Sequence, residues 1–153
     1  MIKISAVPPE MVDDYWDVAL PLLAKSFEYV AYKTTPEDVY EDIMTGRQSL
    51  WVAFEDDTLR IIGAYTVRIK TYPMGATASC EHLGGERMDE WAEEMSNVME
   101  RYIRDIGIEH MEIVGRRGWE KFLKPRGWSS DLVVFRKDIE HGWRWINHDQ
   151  AAT

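Results

Sequence analysis

The apolar and polar positions change period along the chain and divide it into short elements. Residues 1–6, IKISA after the first Met, read as a strand that Pro8-Pro9 closes. From Val12 the period becomes helical. Val12, Tyr15, Trp16, Ala19, Leu22 and Leu23 share one face, with Asp13, Asp14 and Asp17 largely opposite. Pro21 lacks an N–H and clashes with the preceding turn, which predicts a kink or break near Ala19–Leu20. Thr35-Pro36-Glu37-Asp38 has the form of a helix start: a hydroxyl N-cap, Pro at the first position and acids at the positive end. Gly46 ends that helix. Two strands follow, 49–55 and 59–70, joined by Asp56-Asp57-Thr58. A turn at Tyr72-Pro73-Met74-Gly75 leads into a third strand, 76–83, which completes an antiparallel meander.

Gly84-Gly85 precedes the strongest helix, 89–106. Trp91, Met95, Val98, Tyr102 and Ile106 share its apolar face, widened by Ala92, Met99 and Ile103. Gly107 stops it, and 110–115 is a short strand. Trp119, Phe122 and Leu123 then mark one face of a two-turn helix that Pro125 and Gly127 end. WSSDLVVFRK, 128–137, reads as a last long strand. The order predicts an α+β fold with a mixed, mainly antiparallel sheet and helices on both faces. The long helix makes a right-handed crossover between parallel strands 76–83 and 110–115. One domain over 1–137 and a Trp-containing tail, 138–153, are expected.

Composition narrows the setting. The 153 residues are 45% apolar, as in globular proteins. No signal pattern opens the chain, no apolar run approaches the roughly 18 residues that span a bilayer, and the single Cys80 suits a reducing compartment. A cytoplasmic protein with no membrane partner is the expectation. The formal charge is −9, which argues against nucleic-acid binding. Yet residues 111–137 hold seven basic and three acidic side chains, whereas 1–46 hold three Lys and nine acids. Within GRRGWEKFLKPRGW, 115–128, Arg116, Arg117, Lys121, Lys124 and Arg126 face a single acid, Glu120. Cations at a helix start oppose its dipole, so Arg116 and Arg117 point to an anion or an acidic surface; pairing with the acidic first helices is the alternative.

The element order, together with Phe122-Leu123-Lys124-Pro125-Arg126-Gly127-Trp128 near the end, resembles the GNAT superfamily of acyl-CoA-dependent N-acetyltransferases. LGG before the long helix and GRRGW after the next strand also resemble short GNAT-like proteins of bacteriophages, which would put the chain in host cytoplasm or a virion. The resemblance covers residues 1 to about 137. It implies a V between the fourth and fifth core strands that takes acetyl-CoA, with the pyrophosphate on the long helix's N-terminus. Leu83, Gly84, Gly85 and Arg87 would line that site, with Arg116 and Arg117 adding charge. The loop is shorter than the family pattern and carries Glu86, Asp89 and Glu90. By the same resemblance Glu81 takes the general-base position, an ordinary strand carboxylate being the alternative. Leu123 stands where the family has a Tyr acid, and Arg116 where it has an Asn.

Cys80 and His82 would share a strand face, but no further ligand lies near and no metal site is expected. Trp143 and Trp145 either cover the sheet or anchor a protein partner. Two functions follow: N-acetyl transfer from acetyl-CoA to an amine, with the acidic helices 10–46 favouring a cationic acceptor, or a GNAT-fold binding or structural protein without catalysis, such as a phage particle component.

Overall fold

A computed structural model describes residues 1–139; Trp143 and Trp145 lie outside the described residues. The chain runs β1 (Ile2–Val7), α1 (Val12–Tyr29), α2 (Pro36–Met44), β2 (Gln48–Glu55), β3 (Ile61–Tyr72), β4 (Gly75–Cys80), β5 (Leu83–Gly85), α3 (Met88–Asp105), β6 (His110–Ile113) and α4 (Glu120–Leu123). Short 3-10 turns, Arg117–Trp119 and Lys124–Arg126, flank α4. The sheet order is β1-β2-β3-β4-β6, with β5 paired to β3. Among the described residues only β4 and β6 run parallel, joined through α3. The expected α+β class and mixed sheet are borne out.

Alternation along the strands feeds two cores. Trp51 and Ala53 of β2 face α3, where Trp91, Met95 and Met99 pack with Tyr65, Val67 and Cys80. Leu50 and Val52 face α1 and α2, where Ala19, Leu23, Phe27, Val39 and Ile43 are buried. Thr35 caps α2, as its sequence foretold, and the cap is a reciprocal capping box with Asp38. Gly46, at φ +82°, follows the helix end.

Two expectations are corrected. Pro21 does not break α1, which continues to Tyr29. Pro21 lies on the exposed face, so the Asp17 carbonyl that it leaves unpaired faces water, while Ala19, Leu23 and Phe27 hold the helix to the sheet. Pro21→Ala restores one helical hydrogen bond and should raise stability by about 2 kcal/mol, the proline penalty less its restriction of the unfolded chain. Chemical denaturation of the two proteins checks this, and a loss of stability would contradict it.

The second correction concerns 128–137, which forms no strand. Trp128 docks on α3, its Nε1 3.1 Å from Ser96 Oγ, but Leu132–Phe135 stand exposed with no sheet partner among the described residues. An apolar run makes a strand only where an edge receives it.

Candidate functional site

The meander's third strand is divided. β4 pairs with β3 up to Ser79↔Arg68, and β5 resumes at Leu83↔Tyr65. Between these pairs β3 offers Thr66 and Val67, while the segment facing it offers Cys80, Glu81 and His82. The extra residue makes a β-bulge, closed by Thr66 N–H donating to the His82 carbonyl at 3.0 Å. On the other side, the ladder to β6 ends where Val114 N–H donates to the Cys80 carbonyl at 2.9 Å. Beyond it, among the described residues, β5 pairs with β3 alone, so 81–85 and 114–117 form the two walls of a splayed opening.

The bulge reassigns faces. Cys80 points into the core beneath α3, whereas His82 packs on Phe27 of α1, with 4.7 Å between ring centroids. The two do not share a face, contrary to expectation. Burial pushes the Cys80 thiol up to about 12, and its S–H lies 3.5 Å from the His82 carbonyl. Such a thiol is inert as a nucleophile.

Glu81 joins a chain of charges on the α1/α2 side. Lys70 Nζ is 2.8 Å from Glu81 Oε1, and Arg68 Nε is 4.0 Å from Oε2. Arg68 also pairs with Asp42 at 2.6 Å, and Lys70 approaches Glu112 at 3.8 Å. Burial opposes the Lys70 charge, but the Glu81 hydrogen bond and the charges of Glu81 and Glu112 hold its pKa above the usual lysine range. Burial likewise opposes the Asp42 charge, and donors Gln48 and Arg68 outweigh it to hold the carboxyl low. Arg68, Lys70 and Glu112 escaped the sequence reading. Arg68 and Lys70 recur at the two-residue spacing of one strand face, but only the β3/β4/β6 register brings them to Glu81.

His82 is the neighbouring titratable group. Ser26 Oγ donates to the Leu23 carbonyl at 2.8 Å, so at 3.1 Å it accepts from His82 Nδ1–H, which leaves the lone pair on Nε2. Burial depresses the imidazole pKa; Arg68 reinforces this and Glu81 opposes it. The unfolded chain, with a pKa of about 6.5, therefore takes the proton first. This contribution to stability is whole above that pH and is lost as pH falls from there through the lower folded value. The urea midpoint should fall as pH drops below about 6.5. The fall should shrink in His82→Asn, whose amide can still donate to Ser26; an identical slope in both proteins would count against it.

On the opposite wall, Arg116 lies over the Tyr29 ring, 5.1 Å from its centroid. Neither Arg116 nor Arg117 forms an ion pair among the described residues, so the alternative of pairing with the acidic helices is not realised there. Lys124 is neutralised by Glu120 at 3.1 Å, and Arg126 donates to the Phe122 carbonyl. Leu123, at the family's tyrosine position, is buried.

The α3 start differs in character. Gly85 has φ +147°, and α3 begins just after Arg87. A Cβ on Gly84 would meet the Leu22 carbonyl oxygen at 2.0 Å, and one on Gly85 the Ile62 carbonyl oxygen at 2.4 Å. The glycines serve close packing of β5 against α1 and β3. Leu83 is a core residue on Tyr65. Arg87 reaches across β3 to Glu55 of β2 at 2.5 Å and pairs with Glu90, away from the opening. Glu86 pairs with Arg60 at 2.6 Å, and Asp89 adds a further negative charge. A diphosphate does not fit this helix start: the cations beside it, Arg60 and Arg87, are neutralised, and its glycines are filled by protein. Arg116 and Arg117 stand across the opening instead.

A separate cavity of about 400 Å3 lies between α1 and α2, where Asp13, Asp17 and Glu37 surround Trp16 and Tyr40. It is not part of the opening, since Asp13–Leu20 lie roughly 9–20 Å along α1 from Ser26 at a rise of 1.5 Å per residue.

No protein-family model matches the sequence, nor does any curated protein. Solved structures do share the fold. Glucosamine-6-phosphate N-acetyltransferase from Arabidopsis thaliana matches at TM-score 0.63 and 13% identity over 92% of this chain and 99% of its own. An aminoglycoside acetyltransferase from an uncultured soil metagenomic sample, in complex with sisomicin, gives 0.64 and 13% over 91% and 97%. A predicted acetyltransferase with acetyl-CoA from Clostridium acetobutylicum gives 0.59 and 10% over 93% and 99%. At these identities the likeness is one of fold: the GNAT-like architecture implied by the sequence is present.

Proposed function

We propose that this chain is a GNAT-type N-acyltransferase that acetylates the amine of a cationic acceptor from acetyl-CoA. The observation that carries this is Glu81 at the head of the 81–85 wall of the splayed opening, in a fold shared with acetyltransferases. Acetyl-CoA, when bound, would supply an activated thioester. Its phosphates would be met by Arg116 and Arg117 rather than by the start of α3. The unpaired edge of β5 offers backbone groups to the remainder. Glu81 would accept the acceptor's ammonium proton, directly or through water, with Lys70 loosening from Oε1 as it does so. The nine acids of residues 1–46 would draw a cation toward the α1/α2 side.

Calorimetric titration with acetyl-CoA tests donor binding. Arg116→Ala/Arg117→Ala should weaken it and flatten its salt dependence, while changing stability by only about 0–1 kcal/mol per site. Equal affinity at two salt concentrations would remove both arginines from the site. Release of free thiol across a panel of polyamines and aminoglycosides then tests transfer. A second reading, a GNAT-fold binding or structural protein without catalysis, is favoured by the acids at the α3 start and by buried Leu123, which supplies no proton to a leaving thiolate. Absence of acetyl-CoA heat in the parent protein would select it.

A further inference from the structure

The cavity between α1 and α2 takes no part in the opening, and its chemistry is different. Its volume, about 400 Å3, is that of a small-ligand site. Trp16 and Tyr40 line it together, with 5.6 Å between ring centroids and 56° between planes, so the rings form a corner rather than a stack. Both are half-buried, and Leu20 and Pro36 extend the apolar wall. The Tyr40 hydroxyl donates to Asp13, which ties α2 to α1 and holds the tyrosine ring in place.

The charge around this corner is unbalanced. Asp13, Asp17 and Glu37 all line the cavity, and none forms an ion pair among the described residues. Helix dipoles account for Asp13 and Glu37, which lie in the first turns of α1 and α2. They do not account for Asp17. It sits in the second turn, four residues after Asp13, where like charges repel along the helix. A metal ion does not answer this charge either: among the described residues no three His, Cys, Asp or Glu side chains stand together to hold one. The cation that fits is larger than a bare ion and tolerates apolar contact on one side. A methylated ammonium has both properties, because its charge is spread over weakly hydrated methyl groups that ring faces attract.

We propose that this cavity binds a methylated ammonium group, its methyls against the Trp16–Tyr40 corner and its charge met by Asp13, Asp17 and Glu37. A quaternary nitrogen has neither a lone pair nor a proton to give up, so such a ligand is no acyl acceptor. The site does not depend on the proposed acyltransfer.

Titration of the full chain with tetramethylammonium chloride, followed by calorimetry and by the indole N–H resonances, should reach saturation. Ammonium chloride at matched ionic strength and the neutral tert-butyl isostere of choline should bind more weakly, the first for want of methyls and the second for want of charge. Asp17→Asn with Glu37→Gln should weaken tetramethylammonium binding and reduce its salt dependence; both side chains are exposed, so the fold is kept. Trp16→Leu should weaken it by about 2- to 30-fold, the range of one cation–π contact, with thermal unfolding run alongside to show a folded variant. Glu81→Gln should bind as the parent does. Choline and a short peptide carrying trimethyl-lysine then separate a free amine from a protein-borne one, the tighter ligand naming the source. Absence of binding, equal affinity for ammonium or for the neutral isostere, or indifference to Asp17→Asn/Glu37→Gln would each overturn the proposal. So would loss of binding in Glu81→Gln, which would move the cation to the opening.

Discussion

Replacing Gly84 with alanine is expected to abolish the folded state or to leave it barely populated. The added methyl would sit 2.0 Å from the Leu22 carbonyl oxygen, inside any permitted contact. The obstructing atom is helix backbone, so no rotamer change relieves the clash. Either α1 moves from the sheet, exposing Leu23 and Phe27, or β5 leaves β3. Either route should exceed the roughly 1–3 kcal/mol usual for overpacking. Gly118→Ala is the control, because nothing lies within 4 Å of its added carbon. Urea unfolding of both should show a collapse for Gly84→Ala and near-parent stability for Gly118→Ala. Parent-like stability of Gly84→Ala would mean that β5 and α1 are not in contact as described.

Glu81→Gln carries the second large effect, this time on chemistry. The substitution keeps shape and removes the proton acceptor, so acetyl transfer should fall by about 100- to 10,000-fold, the usual contribution of a general base. Acetyl-CoA affinity should hardly change. Lys70 and Arg68 retain Glu112 and Asp42 as partners, so the fold should survive. Loss of folding would make Glu81 structural, and undiminished transfer would place the base elsewhere.

Much of this architecture is legible in local chemistry. The Thr35 N-cap of α2, the α3 stripe and the parallel crossover all follow from period, cap residues and order, because each depends on near neighbours. What depends on register is not legible. Residues 76–83 keep an unbroken strand pattern, and only the partner strand's spacing shows that Glu81 is the extra residue. That single insertion decides which face His82 takes, and the β3/β4/β6 register brings Arg68 and Lys70 to Glu81. The α3 start is illegible for a different reason. Gly-Gly followed by Arg suits an anion, and only the positions of Leu22, Glu55 and Glu90 show that its space and charge are already used. The apolar run at 132–135 carries a strand's composition, but composition does not name the edge that receives it.

Cys80 gives the molecule a reporter of its own breathing. Its sulfur is fully buried on β4, between the meander and the parallel strand, and its thiol is pushed up to about 12. A thiol reagent can reach it only when α3 lifts from the sheet or the chain unfolds. Labelling kinetics at this one atom therefore time the opening of the α3-side core. If labelling requires global unfolding, its rate should follow denaturant with the full slope of unfolding; if α3 lifts locally, it should be nearly independent of denaturant.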